Sequence, residues 1–205
     1  LSLHDALPIS YDPDFQRKMD KAGDIIRRLR EFVARGESDR RIESLPKLIE
    51  DASTLALIGA KENGVDVSFR LDPAVDLVLA DRIQIQQVLV NLIINARQAM
   101  GTGGTLYLTV SRNRDGGTSE ISVRDTGPGI PADKLPKIFE RFYSTKTADE
   151  QGQGGSGLGL ALCKEIIDAH KGRIRVESTV GRGTTFTLRL PMAAAPVLTS
   201  TQKAG

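Results

Sequence analysis

The sequence is poor in cysteine, and this scarcity limits the chemistry that the chain can carry. A single cysteine, Cys163, excludes an internal disulfide and a cysteine-based metal cluster. Cys163 lies in an apolar stretch with Leu162 and Ile166, which favours a buried and unreactive thiol. The lack of disulfides fits a reducing compartment, and we expect these residues to lie in the cytoplasm even if the full-length protein is attached to a membrane.

Long hydrophobic runs and an excess of one charge are also absent. No uninterrupted apolar run approaches the roughly 18 residues that a membrane-spanning helix needs. The 28 basic and 26 acidic residues nearly cancel, for a formal net charge of +2. Because the charges are so evenly balanced, there is no reason to expect binding to nucleic acid or to an anionic membrane surface.

Glycine is abundant, and its 20 residues concentrate between Gly101 and Gly183. Such clustering is typical of tight turns and of backbone that lies close to a ligand. With 40% hydrophobic residues, the 205-residue chain can form one good core, or one domain with an appendage.

The chain divides into four predicted parts, which are residues 1–10, 11–40, 41–192 and 193–205. The first part is interpreted as a non-native segment, because its back-translation can match a sequencing-adapter oligonucleotide; a natural flexible terminus is the alternative. The second part contains an amphipathic helix predicted over 14–35 and a polar linker over 38–41. The last part is predicted to be a disordered tail.

Within residues 41–192 the hydrophobic spacing predicts helices and strands in mixed order. The predicted helices span residues 45–61, 81–100, 133–139 and 157–170. The predicted strands span residues 65–71, 75–80, 106–110, 121–123, 174–177 and 184–190. Asp81 is the expected N-cap of the long helix. Because hairpins dominate the second half, we predict a two-layer α/β sandwich, with a mixed, largely antiparallel sheet and helices on one face.

Two asparagines on the long predicted helix form the first candidate site. Asn91 and Asn95 are four residues apart, so both amides project from one helix face. A buried amide without a partner is costly, and an amide oxygen suits a magnesium ion that carries triphosphate. Ordinary surface amides are the alternative, and the pair alone does not decide between them.

The segment Asp125–Ile130, with the sequence Asp-Thr-Gly-Pro-Gly-Ile, directly follows a predicted strand. An aspartate at this place puts one carboxylate at the floor of a pocket, and the glycines let backbone approach closely. Such a carboxylate can accept a hydrogen bond from the exocyclic amine of adenine. A plain loop is the alternative reading of this motif alone.

Two further glycine-rich segments are Gly155–Leu160 and Gly181–Phe186. The first opens a predicted helix, where free backbone N–H groups and the helix dipole favour phosphate. It lacks the Gly-Lys-Ser/Thr of a P-loop, and no strand directly precedes it. The second is a tight turn whose Thr184 can brace Asp125 through its hydroxyl or a water; a simple hairpin is the alternative.

Residues 138–146 and the polar run up to Gly155 predict a mobile lid anchored by aromatic residues. Lys146 in this lid can reach a terminal phosphate. A solvated surface lysine is the alternative for Lys146 alone.

In this order the motifs resemble the N, G1, F, G2 and G3 boxes of sensor histidine kinases, whose superfamily also holds gyrase, heat-shock chaperone and mismatch-repair ATPases. The boxes read Asn-x-x-x-Asn, Asp-x-Gly-x-Gly, Phe-x-x-Phe, Gly-x-Gly-Leu-Gly and Gly-x-Gly-Thr. The resemblance covers about residues 41–191 and implies the Bergerat-type ATP-binding fold. Residues 17–100 further resemble the oxygen-sensing PAS kinases of nitrogen fixation, in the stretches 25–32 and 79–89.

The resemblance implies ATP and Mg²⁺ as ligands and gives roles to the matching residues. Asn95 is expected to coordinate Mg²⁺, and Asn91 to position it and the reacting phosphate, with Lys146 as a third catalytic residue. Asp125 is expected to bind adenine. The full set of implied nucleotide-binding residues is Asn91, Asn95, Asp125, Gly127, Gly129, Ile130, Phe142, Lys146, Gly155, Gly157, Leu158, Gly159, Leu160 and Thr184.

The position of Asn91 carries a glutamate base in the chaperone and gyrase branches. An amide cannot take a proton, so we expect poor ATP hydrolysis and transfer of phosphate to a histidine instead. A non-catalytic nucleotide-binding or scaffolding module and a hydrolysing ATPase machine are the competing interpretations.

Neither histidine of the chain matches the expected phosphate acceptor. In the family that the chain resembles, a proline or asparagine is expected five positions after the acceptor histidine, whereas Pro8 lies four positions after His4. His170 lies at the end of a predicted helix. The apolar face of the predicted helix, over residues 15–33, resembles the second helix of a dimerisation hairpin. The expected partners are therefore the histidine-bearing helix of a full-length homodimer and the receiver domain of a response regulator. We expect this chain to bind ATP without phosphorylating itself.

Overall fold

The computed structural model describes residues 39–57, 64–72, 77–113, 117–144 and 157–193. Several sequence predictions fall outside these residues. They are the segment 1–10, the helix over 14–35, the lid beyond Ser144 with Lys146 and Gly155, and the tail from 194 to 205.

The described residues form seven strands and three helices, and several strands follow one another directly along the chain. The strands are β1 (Arg41–Ser44), β2 (Val65–Leu71), β3 (Leu77–Ala80), β4 (Gly104–Arg112), β5 (Thr118–Arg124), β6 (Arg173–Thr179) and β7 (Gly183–Pro191). The helices are α1 (Leu45–Ala56), α2 (Arg82–Met100) and α3 (Gly159–Ala169), and a 3₁₀ turn spans Leu135–Lys137.

Five of the strands form one mixed sheet in the order β2-β4-β5-β7-β6. Strand β2 runs parallel to β4, and the other neighbours are antiparallel. Alternate residues of the central strands are fully buried, among them Leu106 and Leu108 of β4 and Ile121 of β5. The predicted two-layer α/β sandwich is therefore confirmed, with its core between the sheet and the helices.

Helix α2 contacts both α1 and α3 and buries Ile85, Leu89 and Leu92 completely. Each such side chain contributes about 1.5–3 kcal/mol relative to an exposed one. The helix begins at the predicted N-cap, since Asp81 Oδ1 accepts from Ile83 N at 3.0 Å and from Gln84 N at 3.1 Å.

A small second sheet pairs β1 with β3 in antiparallel register, with Arg41 opposite Ala80 and Ser44 opposite Leu77. The sequence analysis placed Arg41 in a linker, and that prediction is wrong. A strand of four residues has too little periodicity to be recognised, and its hydrogen bonds come from a strand more than thirty residues further along the chain.

Three predicted helices are shorter in the structure. Helix α1 ends at Ala56, and 58–61 lie outside the described residues. The helix predicted over 133–139 is only the 3₁₀ turn, because Pro136 lacks the N–H that a continuing helix needs. Helix α3 begins two residues later than predicted, since Gly157 has a φ of 67° and lies outside the helical region.

Candidate functional site

Asp125 directly follows the last residue of β5 and is only 3% exposed. Its Oδ1 accepts two backbone hydrogen bonds, from Gly127 N at 2.8 Å and from Thr184 N at 3.1 Å. The Asp125 N–H in turn donates to the Thr184 carbonyl at 2.9 Å. Backbone groups from its own loop and from β7 therefore fix the carboxylate in one orientation.

The hydrogen bonds of the Asp125 carboxylate fall on one of its oxygens and leave the other for a ligand. Burial raises the pKa of the Asp125 carboxyl, and the hydrogen bonds from Gly127 and Thr184 oppose this shift. Both bonds fall on Oδ1, and Oδ2 accepts none from the part of the chain that the structure describes. A buried, oriented carboxylate with one free acceptor suits a single N–H donor such as an amine on a planar ring.

Thr184 contacts Asp125 as predicted, but its backbone N–H makes the contact instead of its hydroxyl or a water. Its Oγ1 lies 2.9 Å from Ser178 Oγ. Ser178 donates to the Gly183 carbonyl at 3.0 Å, so Thr184 is the donor in the hydroxyl pair. Ser178 also accepts from Ile130 N at 2.7 Å. Sequence reasoning missed Ser178, because a serine within a strand carries no motif signal.

Two glycines let the Asp125 loop and the β6–β7 hairpin meet backbone to backbone. Gly183 has a φ of 98°, and a Cβ there would overlap the carbonyl oxygen of Asp125. Gly129 has a φ of 74°, and a Cβ there would overlap the carbonyl oxygen of Thr179. A side chain at either position would push the two loops apart.

The asparagine pair lies on the side of helix α2 along which the Asp125 loop passes. Asn91, Asn95 and Ala99 succeed one another at intervals of four, so they share one helix face. A Cβ on Gly127 would lie 3.5 Å from the Ala99 Cβ, so the loop passes along this face. Both asparagines are half-buried. The first two motifs thus lie on the same side of α2.

The third motif reaches the same helix at Asn91. A Cβ on Gly159 would lie 2.7 Å from both Nδ2 and Oδ1 of Asn91. The Asn91 amide donates from Nδ2 to Cys163 Sγ at 3.2 Å. Cys163 is 1% exposed, and burial raises the pKa of its thiol to about 12. The prediction of a buried thiol is therefore confirmed.

The predicted aromatic anchors behave differently from each other. Phe139 packs edge-on against Phe186, with ring centroids 6.4 Å apart. The Phe142 side chain is exposed, while its backbone N–H donates to the Gly157 carbonyl at 3.0 Å. A Cβ on Gly157 would overlap the Phe142 backbone. The hydrogen bond between Phe142 and Gly157 therefore connects the segments on either side of the predicted lid.

Leu158 and Leu160 are half-buried beside these residues, and Leu160 packs against the core. Leu158 lies just before the first residue of α3. The structure therefore associates the predicted site residues in three contacts: Asp125 with Gly127 and Thr184, Asn91 with Gly159, and Phe142 with Gly157.

His170 is buried at the C-terminal end of α3 and bonded through both ring nitrogens. Its Nε2 accepts from Asp81 N at 3.0 Å, so Nδ1 carries the proton and donates to Ile166 O at 2.8 Å. Burial lowers the pKa of the imidazole. Because both nitrogens of the neutral ring are bonded, no nitrogen is left to attack a phosphate.

The donor set can be compared with the ligands that the motifs imply. Among the described residues no group of three or more histidine, cysteine, aspartate or glutamate side chains could hold a metal ion. An amide oxygen is a hard ligand that suits a magnesium ion carried by the phosphates of a nucleotide. The Asn91 amide can face such an ion, because its nitrogen donates to Cys163 and its oxygen accepts no hydrogen bond from the residues that the structure describes.

Comparison with known proteins identifies the family to which the chain belongs. Residues 80–194 match the family of histidine kinase-, DNA gyrase B- and HSP90-like ATPases, and the chain belongs to this family. The solved catalytic domain of the histidine kinase ThkA, in a nucleotide-free form, is 33% identical over 75% of this chain and 98% of that chain, with a TM-score of 0.66. The chain is thus the ATPase domain of a sensor histidine kinase.

Three proteins similar to this chain are a sensor kinase of known sequence and two kinases of known structure. Sensor protein FixL of Bradyrhizobium diazoefficiens is 49% identical over 174 residues, which are 84% of this chain and 33% of FixL. Full-length ShkA, solved with AMPPNP, is 31% identical over 78% of this chain and 33% of that chain, with a TM-score of 0.67. ThkA solved with the response regulator protein TrrA is 28% identical over 94% of this chain and 53% of that chain, with a TM-score of 0.69.

The chain spans about a third of the length of FixL. Of the helices that the structure describes, none has the length and apolar character needed to cross a membrane.

Proposed function

We propose that this domain transfers the γ-phosphate of ATP to a histidine on the dimerisation helix of a full-length, two-component sensor kinase. The observation that carries this proposal is the Asp125 carboxylate, which is buried and held at Oδ1 by Gly127 and Thr184. Its unoccupied Oδ2 is suited to the exocyclic amine of adenine. The cytoplasm, where ATP is available, is the expected location.

The phosphates are proposed to lie along α2 and the start of α3. The first turn of α3, from Gly159, offers backbone N–H groups and the positive end of the helix dipole to an anion. Gly155, Gly157, Leu158 and Leu160 are proposed to frame this region, with Gly129, Ile130 and Phe142 nearer the base. Lys146 is proposed to contact the γ-phosphate from the lid.

Asn95 is proposed to coordinate magnesium through its amide oxygen, with Asn91 positioning the same ion and the reacting phosphate. Bound magnesium would neutralise charge on the phosphates. Asn91 carries an amide that cannot act as a base, which disfavours activation of water. The domain's contribution is then to orient the nucleotide, so that a histidine nitrogen instead of water attacks the phosphorus.

The acceptor is proposed to be a histidine of the dimerisation hairpin, to which residues 11–40 would contribute the second helix and linker. Residues 41–192 are the proposed catalytic domain. His170 does not suit the acceptor role, because Asp81 and Ile166 bond both of its ring nitrogens. Phosphate is proposed to pass from a homodimeric kinase to the receiver domain of a response regulator. The solved pair of ThkA and TrrA supports this partner.

The test is a titration of the purified chain with ATP, with and without magnesium, beside Asp125→Ala and Asn95→Ala. We expect magnesium-linked binding that both substitutions weaken, and phosphate transfer only when a separate histidine-bearing hairpin domain is added. Binding without transfer to any hairpin domain would favour the alternative, a non-catalytic nucleotide-binding or scaffolding module. Radiolabelled phosphate on the chain alone would contradict the proposed acceptor.

A further inference from the structure

The sheet face opposite the core carries a depression that the nucleotide site does not use. Its volume is about 460 Å³. The residues that line it come from four neighbouring strands and are Arg70, Tyr107, Thr109, Ser122, Arg124 and Thr185. All six are polar or charged and at least partly exposed. The depression therefore offers hydrogen-bonding and charged groups beside the aromatic ring of Tyr107.

Strand register places these side chains in two adjacent rows. Thr109 lies opposite both Arg70 and Ser122. Arg124 lies opposite both Tyr107 and Thr185 in the next row. The two arginines are thus separated by two strand spacings of about 4.8 Å each and by one row. Side chains of this length can converge on one group above the hydroxyls.

In the part of the chain that the structure describes, the two arginines of this depression have no carboxylate partner. The Arg124 guanidinium lies over the Tyr107 ring, 5.6 Å from its centroid, which limits its orientation. Arg189 on the same sheet face is paired with Glu120 at 2.9 Å. Within the described residues neither Arg70 nor Arg124 forms an ion pair, and no carboxylate lines the depression.

We propose that this depression is a second ligand site, which binds a small phosphate ester between Arg70 and Arg124. Guanidinium groups match the oxygens of phosphate in pairs, and the hydroxyls of Thr109, Ser122 and Thr185 can donate to the remaining oxygens. The volume falls within the range of about 300–1,000 Å³ that is typical of small-molecule sites. An extended protein surface would need a larger contact area.

The test follows backbone amide signals of Thr109 and Ser122 by NMR while inorganic phosphate or glycerol 3-phosphate is added to the chain. We expect saturable shifts with both probes. Arg70→Gln and Arg124→Gln should each weaken binding about tenfold or more, since each removes a charge-assisted hydrogen bond. Arg189→Gln makes the same change in net charge and should bind as the original chain does.

Shifts that do not saturate, or equal weakening by all three substitutions, would overturn the proposal, since either means general screening of charge. A phosphopeptide that binds more tightly than glycerol 3-phosphate through the same arginines would overturn the small-ligand assignment. Asp125→Asn should leave the shifts unchanged, because the nucleotide site is separate. If Arg124→Gln unfolds in a thermal melt, Arg70→Gln and Arg124→Lys decide the question, with weaker binding expected for both.

Discussion

The side-chain amide of Asn91 on α2 donates a hydrogen bond to the thiol sulfur of Cys163 on α3, at 3.2 Å. The two residues are 72 positions apart in the chain, so the packing of the two helices creates this contact. It determines which end of the amide is turned inward. The nitrogen faces the sulfur, and the oxygen remains for a ligand.

We predict that Cys163→Val reorients the Asn91 amide and lowers affinity for magnesium-ATP about three- to tenfold. Valine fills the space of the thiol but accepts no hydrogen bond, and one such bond is worth about 0.5–1.5 kcal/mol. Cys163→Ser keeps an acceptor and should bind more tightly than the valine variant. Calorimetry measures the affinities, and the Asn91 side-chain N–H signals report the orientation. Equal affinities with unchanged signals would refute this role for Cys163.

A second prediction separates the structural role of Asp125 from its role as a ligand acceptor. Asp125→Asn retains an oxygen for Gly127 N and Thr184 N, so its thermal stability should stay close to that of the original chain. Its amide nitrogen would face the adenine amine, and ATP affinity should fall at least about tenfold. Because this nitrogen can donate to the guanine carbonyl, the preference for ATP over GTP should shrink as well.

The matched variant Asp125→Ala leaves both backbone donors without an acceptor. It should therefore lose about 1–3 kcal/mol of unfolding free energy in addition to nucleotide affinity. Denaturant unfolding and ATP titration on the same samples measure both quantities. If Asp125→Asn bound ATP as well as the original chain, Oδ2 would not be the adenine acceptor.

Local signals in the sequence were sufficient where a nearby residue decides the structure. Asp81 was predictable as a helix cap because the backbone N–H groups that donate to its carboxylate lie two and three residues away. Thr184 was predictable as a partner of Asp125, but its donor atom was not. That atom depends on the register of β5 with β7, across 59 residues of chain. Ser178 was missed because a serine within a strand carries no motif signal, even though its partners Gly183 and Thr184 lie only five and six residues away.

Some local signals conflicted with each other. The apolar spacing around Pro136 predicted a helix, but proline lacks the amide hydrogen that the helix would have used. Only one 3₁₀ turn forms there. Strand β1 shows the converse case, in which a polar segment with no local signal becomes a strand because β3 supplies its hydrogen bonds.

A third prediction concerns the β6–β7 turn, where two glycines provide a matched comparison. Gly181 has a φ of 78° and open space around its Cβ position, so Gly181→Ala meets only backbone strain of about 1–2 kcal/mol. Gly183 has a φ of 98°, and a Cβ there also overlaps the Asp125 carbonyl. Gly183→Ala should therefore be the less stable variant.

The two alanine variants should differ more in binding than in stability. Gly183→Ala displaces the backbone that holds Asp125 and should abolish ATP binding, whereas Gly181→Ala should retain it. Denaturant unfolding and ATP titration of both proteins measure this difference. Comparable ATP affinity in the two variants would show that the close approach at Gly183 is not needed for the nucleotide site.

The last prediction follows from His170, whose pKa is lowered from 6.5 by burial and secondarily by the charge of Arg40, against the Ile166 hydrogen bond and Asp81. Because the pKa of His170 is lower in the fold, below about pH 6.5 the unfolded chain takes up a proton at this position more readily than the folded chain does. Protonation then stabilises the unfolded state, so the unfolding free energy should decrease as pH falls from about 7 to 5.

The comparison with His170→Gln isolates this contribution, because the rest of the sequence is the same in both proteins. The glutamine oxygen can still accept from Asp81 N but takes up no proton in this range. The decrease in unfolding free energy between about pH 7 and 5 should therefore be smaller in the variant. Denaturant unfolding at several pH values measures both slopes. Identical slopes would mean that His170 is protonated as readily in the fold as in the unfolded chain, and that the Asp81 N–H does not hold its ring neutral.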